Sequence, residues 1–168
     1  TAKKSIFNYV LFENATCGED SLKTNAAISG YYSDFDIEFS SFKNNLRSIY
    51  AYYGDVYINN NFFYETNFGE KINLQFSSAI TENCILYYTY GDNDAIDYDA
   101  VNNGVIRNNI IYGGEDDGID IGRVNNISCL DVVVSNNHIT NLLDKGISVG
   151  EGSENINLNY NLITNSRM

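Results

Sequence analysis

The sequence predicts an all-β fold, a solenoid of stacked parallel strands with about seven coils over residues 1–168 and a ladder of Asn side chains inside it. Three observations predict this. A six-residue pattern recurs seven times with apolar first and sixth positions, Asn occupies its fourth position in five consecutive copies, and helix-period stretches of ten or more residues are absent. The lack of Pro agrees, because every interior strand needs its backbone N–H for a neighbour.

Taken in order, the copies are Phe7 to Phe12, Ile37 to Phe42, Ile58 to Phe63, Ile80 to Ile85, Ile106 to Ile111, Val134 to Ile139 and Leu158 to Ile163. Their fourth residues are Val10, Ser40, Asn61, Asn83, Asn109, Asn137 and Asn161. The steps of 30, 21, 22, 26, 28 and 24 residues are too irregular for leucine-rich or helical repeats and suit coils whose corner loops vary. A second short strand accompanies the copies: Ile49-Tyr50-Ala51, Leu74-Gln75-Phe76, Ile96-Asp97-Tyr98, Ile119-Asp120-Ile121 and Ile147-Ser148-Val149. Short strands running the same way, once per coil, cannot be hairpins and must stack as parallel sheets. Asn61, Asn83, Asn109, Asn137 and Asn161 are the predicted ladder, since Asn tolerates a left-handed turn and its amide can bond to the same residue about 4.8 Å above and below.

This pattern resembles the right-handed parallel β-helix superfamily, which includes pectate lyases, polygalacturonases and phage tailspikes, and whose inner Asn ladders look like this one. The resemblance implies a right-handed single-stranded parallel β-helix and an extracellular or cell-surface setting. It also implies a role in binding carbohydrate or building a surface, with polysaccharide as the partner class. The closing segment Asp144-Lys145-Gly146-Ile147-Ser148-Val149-Gly150-Glu151 looks like the repeats of large secreted or surface-attached microbial proteins. Neither end carries an evident cap, so a piece of a longer protein is expected, or a chain that associates end to end or side by side with other copies.

Composition narrows the partners. Twenty-two acidic against ten basic side chains give a net charge of −12, which disfavours nucleic acid and anionic membrane surfaces. No apolar run is long enough to span a bilayer, so membrane insertion is not expected. Cys17, Cys84 and Cys129 have no metal-like spacing and read as small buried hydrophobes. The triplets at Asn14 and Asn126 match the glycosylation acceptor pattern, which chance produces readily among 26 Asn.

Charge concentrates between Asp92 and Asp120, where eight acidic residues face one basic residue, Arg107. Aligned coils place Asp94, Asp117 and Lys145 at one level, Asn93, Asp116 and Asp144 at another, and Asp97, Asp120 and Ser148 at a third. Two carboxylates one strand spacing apart repel by roughly 3–4 kcal/mol at an effective dielectric near 20. A raised carboxyl pKa, a cation such as Lys145 or a bound metal would offset this, and an all-oxygen donor set suits Ca2+. Asp94, Asp97, Asp116, Asp117, Asp120 and Asp144 are the candidate Ca2+ ligands. The same carboxylates also read as a solvated face that keeps the surface soluble.

Catalysis is the third use, following the lyases and hydrolases that the fold resembles. Its candidates are Asp97, Asp117, Asp120, Lys145 and Arg107, with Arg123 a further possible base and Asp116 a further possible acid. The Gly-His-Gly and Arg-x-Lys motifs of polygalacturonases are missing, and the lone His138 reads as a surface residue. Among the tyrosines, Tyr50, Tyr52 and Tyr57 are candidates for stacking on sugar rings, against the alternative that aromatics pack on each other between coils.

Overall fold

The pleat of each short strand puts one side chain inward and the next outward, and the chain repeats this on three sheets. The computed structural model describes residues 3–16, 26–65 and 69–167. Cys17 lies outside them.

The first sheet contains Ser5–Asn8, Phe35–Glu38, Asp55–Asn59, Ser78–Glu82, Val105–Arg107, Val133–Ser135 and Asn157–Asn159. The second contains Leu11–Glu13, Ser41–Lys43, Phe62–Phe63, Ile85–Thr89, Ile110–Gly114, His138–Leu142 and Leu162–Thr164. The third contains Ile28–Tyr31, Ile49–Tyr52, Ile72–Gln75, Ile96–Asp99, Ile119–Val124 and Ile147–Val149. All pairings within these sheets are parallel, and each coil visits the sheets in this order. Ile127–Ser128 departs from this pattern, folding back antiparallel on Ile119–Val124. The third sheet has six strands against seven in the others, so the solenoid has about six full turns, not seven. The chain enters on the first sheet and leaves after the second, which opens the seventh coil without closing it.

Inward residues form columns along the axis. Ile37, Ile58, Ile106 and Val134 share one with Thr81, and Phe42, Phe63, Leu86, Ile111 and Ile139 share another. All but Phe42, at 1 %, have no exposed surface. The rings of Phe12, Phe42 and Phe63 lie nearly parallel with centroids 4.8 Å apart, the spacing that the strands impose. Burying such a side chain contributes about 1.5–3 kcal/mol, so the columns are the main source of stability.

The corner between the first two sheets carries the amide ladder. Asn161 Oδ1 accepts from Asn137 N–H (3.0 Å) and Nδ2 (2.9 Å), and Asn137 Oδ1 accepts likewise from Asn109, both at 3.0 Å. Asn109 Oδ1 accepts from Cys84 N–H at 2.9 Å, and Asn61 Oδ1 accepts from Ser40 N–H at 2.8 Å. Each of these four amides also donates to the backbone carbonyl of the preceding coil, at Val134, Ile106, Thr81 and Ile37. The ladder is thus a set of staples, each binding one coil's corner to the last.

Asn83 does not belong to it. Ile58 pairs with Thr81, so the fourth copy runs from Thr81 to Leu86 and Cys84 takes the ladder position. A one-residue slip exchanges the two faces of a strand, and here Ile80 turns outward while Thr81 turns in. Thr81 is tolerated inside because its hydroxyl bonds to the buried Tyr98 hydroxyl at 2.8 Å, and the Cys84 thiol donates to Glu82 O at 3.2 Å. Asn83 occupies instead the left-handed position one residue before the ladder, with φ 55°, in a column with Asn60, Asn108 and Asn136. The tight turn and the staple therefore use two adjacent residues, where one was expected to serve both. A second slip affects the third sheet: Ile72 and Leu74 pair with Ile49 and Ala51, so its third-coil strand begins two residues before Leu74.

Candidate functional site

The outward side of the third sheet repeats the ladder geometry with different chemistry. Tyr50, Asn73, Asp97, Asp120 and Ser148 form one column, and Tyr52, Gln75, Asp99 and Gly122 form the next. At the corner where the chain enters this sheet, Asp117 N–H donates to Asp94 Oδ1 (3.2 Å) and Lys145 N–H to Asp117 Oδ1 (2.7 Å), so these three are stacked as well. Glu70 precedes them in register and pairs with Arg47, so a run of carboxylates has a cation at each end, Arg47 and Lys145.

Two groups of acids converge. One ligand oxygen each from Asp94, Asp97 and Asp120 lie within 4.8 Å of one another, and the same holds for Asp94, Asp116 and Asp117. Asp94 belongs to both. Asp97 faces outward from the solenoid yet is only 8 % exposed. Its Oδ2 accepts from Asn73 Nδ2, while its Oδ1 and the Asn73 Oδ1 are buried without a hydrogen-bond partner. Buried oxygens left in that state are costly unless a cation or proton reaches them. At Gly122 a Cβ would meet Asp99 Oδ1 at 2.7 Å and Asp120 Oδ2 at 2.8 Å, so any larger residue would make these carboxylate ends shift.

The electrostatics follow from burial and like charge. Burial, then the charges of Asp120, Asp116 and Asp117, pushes the Asp94 carboxyl up to about 8. Burial first and Asp120 second push Asp99 up to about 6. Asp97 is raised well above the ordinary carboxyl range by burial and by Asp99, and Asp116 and Asp120 are raised chiefly by burial. The donor set, all oxygen with several carboxylates, matches what Ca2+ takes. Asp94, Asp97 and Asp120, with Asn73 bonded to Asp97, are the residues that could hold such an ion.

The remaining candidates fall elsewhere. Asp144 joins neither acidic group and bonds to Lys145 Nζ at 2.8 Å. Lys145 also reaches Asp117 at 3.3 Å, and these carboxylates hold its ammonium well above the usual lysine value, which makes it a poor base. Arg107 lies on the first sheet, with Nε 2.5 Å from Glu82 Oε2, whereas the acidic columns lie on the third. Arg123 pairs with Glu151 at 3.3 Å. His138 is exposed on the outside of the second sheet.

Of the candidate tyrosines, Tyr50 and Tyr52 are engaged by neighbouring side chains and Tyr57 by its hydroxyl. Tyr50 is buried, donates to Gln75 Oε1 at 3.2 Å and lies beneath Arg47. Tyr52 packs against Tyr31, Tyr53 and Phe76, and Tyr57 donates to Glu82 Oε1 at 2.7 Å.

Asn73, Asp99 and Glu70 were not found by sequence reasoning, although the outward step of two residues from Asp97 to Asp99 was a visible signal. Lys71 was not found either. It is fully buried, donates to Tyr88 O at 2.6 Å, and burial pushes its amine down to about 7.

The family model for right-handed β-helix regions matches residues 10–167. No curated protein and no solved structure matches the chain. A fold of this kind supports a surface or carbohydrate-related module in general. Among the described residues no helix is long and apolar enough to cross a membrane.

Proposed function

This chain belongs to the right-handed β-helix family, and we propose that it is a secreted or surface-exposed module that binds Ca2+ on the third sheet and engages acidic polysaccharide beside that ion. One observation carries the reading: Asp97 Oδ1 and Asn73 Oδ1 are buried without hydrogen-bond partners, and the Asp97 carboxylate lies within 4.8 Å of those of Asp94 and Asp120. A hard cation satisfies both oxygens and cancels the repulsion along the column. The ion would be held by Asp94, Asp97, Asp120 and Asn73, and would leave its outer positions to water or to a sugar carboxylate. Asp116 and Asp117 flank it. Binding is favoured over turnover because Lys145, the basic side chain stacked on Asp117, is tied to two carboxylates.

The test is thermal melting of the EDTA-treated protein against added Ca2+ or Mg2+, followed by polysaccharide binding at saturating metal. The melting temperature should climb and saturate with Ca2+, as mass action requires of a ligand bound by the folded state alone. Mg2+, which demands near-ideal octahedral geometry, should give a smaller shift. Uronate polymers should bind in Ca2+ and be released by EDTA. A melting curve indifferent to millimolar-range Ca2+ would leave these carboxylates as a solvated surface.

A further inference from the structure

The outside of the second sheet contrasts with the rest of this −12 chain. Its outward columns start at Leu11 and Glu13, and Glu13 pairs with Lys43 at 2.8 Å. From Phe62 and Tyr64 onward to Leu162 and Thr164 they contain no Asp, Glu, Lys or Arg, with His138 between Ile110 and Leu162. Ile85, Tyr87, Ile110 and Tyr112 at their centre are 36 %, 42 %, 43 % and 41 % exposed. An apolar, uncharged face several coils tall on so acidic a protein marks an interaction surface.

The geometry points to a second copy of this chain as the occupant, and we propose that two solenoids pack face to face through their second sheets. Two features favour a copy over a sugar chain. The rings of Tyr87 and Tyr112 are stacked on each other, centroids 5.1 Å apart and 7° from parallel, so each covers one face of the other and both turn edges and hydroxyls outward. A sugar needs the faces. Ring edges alternating with Ile instead make a low-relief sheet surface of the kind that packs on another sheet. Charge supplies the second reason. Copies that each carry −12 meet with least repulsion where both surfaces are neutral, and a two-fold arrangement uses the same patch on both.

The size of the face sets the strength. Five strands about 4.8 Å apart, with two outward columns each, cover on the order of 300 Å2 per partner, which is below the roughly 1,200 Å2 total of stable complexes. The pair should therefore be weak and strengthened by salt, which screens the repulsion between the remaining acidic surfaces.

Sedimentation velocity of the full chain in EDTA, at concentrations up to about 1 mM and in low salt or about 1 M NaCl, tests this independently of the Ca2+ reading. The sedimentation coefficient should rise with concentration, and more so in high salt. Ile110→Lys should abolish the rise, and the milder Ile110→Thr, which keeps a β-branched residue, should weaken it, both with unchanged circular dichroism. A wild-type protein monomeric under every condition, or association unaltered by Ile110→Lys, overturns the proposal.

Discussion

Two ladders climb this solenoid with one residue per coil and the same spacing, and they have opposite hydrogen-bond inventories. The corner ladder of Asn61, Asn109, Asn137 and Asn161 is built of amides, each able to donate and accept, and every one is stapled to the coil before it. The outer column of Asn73, Asp97 and Asp120 is dominated by carboxylates, which only accept when ionised. The first satisfies itself. The second leaves Asp97 Oδ1 and Asn73 Oδ1 unpaired in a buried position and raises the carboxyl pKa values around them. A repeat therefore fixes where side chains stack, while their donor count decides whether the stack satisfies its own hydrogen bonds.

The sharpest way to break the comparison is on the amide side. Asn109→Ala removes the acceptor for Cys84 N–H, the donor to Thr81 O and the link to Asn137, and should cost about 3 kcal/mol in urea unfolding. A cost near zero would mean the staples are incidental. On the carboxylate side the sign reverses. In EDTA, Asp97→Asn removes a buried charge and extends the amide pattern of Asn73 by one coil, so it should stabilise by about 1–2 kcal/mol while abolishing the response to Ca2+.

Acidification should act in the same direction with a smaller effect. The folded carboxyl pKa values of Asp94, about 8, and Asp99, about 6, lie above their unfolded values, so the folded state binds more protons in the window between. Stability lost at high pH is regained as pH falls from about 8 toward 4, and the metal-free protein should melt at a higher temperature at pH 5.5 than at pH 8. Saturating Ca2+ should flatten or invert this trend. Lys71 gives the smallest signal and the opposite slope. Its amine, near 7 when folded, binds fewer protons than in the unfolded chain, so stability should rise between about pH 8 and 9.5, and Lys71→Met should remove that rise.

The fold was legible because inward positions of a parallel solenoid must be apolar in every coil, and the column from Ile37 to Val134 satisfies that in all coils but one. The exception produced the misplacement of Asn83. With Thr81 inside and Ile80 outside, hydrophobicity favours the wrong register, and only the bond from Thr81 to Tyr98 makes the right one tenable. Part of the site was legible for the same reason: Asp97, Asp120 and Ser148 do share a level, and so do Asp94, Asp117 and Lys145. Asn73 was not. Starting the third-coil strand at Leu74 instead of Ile72 shifts it by two residues, which keeps inward residues inward and so raises no alarm, yet sets Gln75 in the place of Asn73 beside Asp97. Nor does alternation reveal that an outward Asp is buried, since that depends on neighbours in adjacent columns.

The central claim, that the outer column is a cation site, is tested most directly by a crystal structure determined with Ca2+. The account predicts a density peak bonded to Asp97 Oδ1, Asn73 Oδ1 and carboxylate oxygens of Asp94 and Asp120, at roughly 2.3–2.6 Å from each. Water alone at that position, with Asp97 and Asn73 hydrogen-bonded to it at ordinary distances in saturating Ca2+, would contradict it.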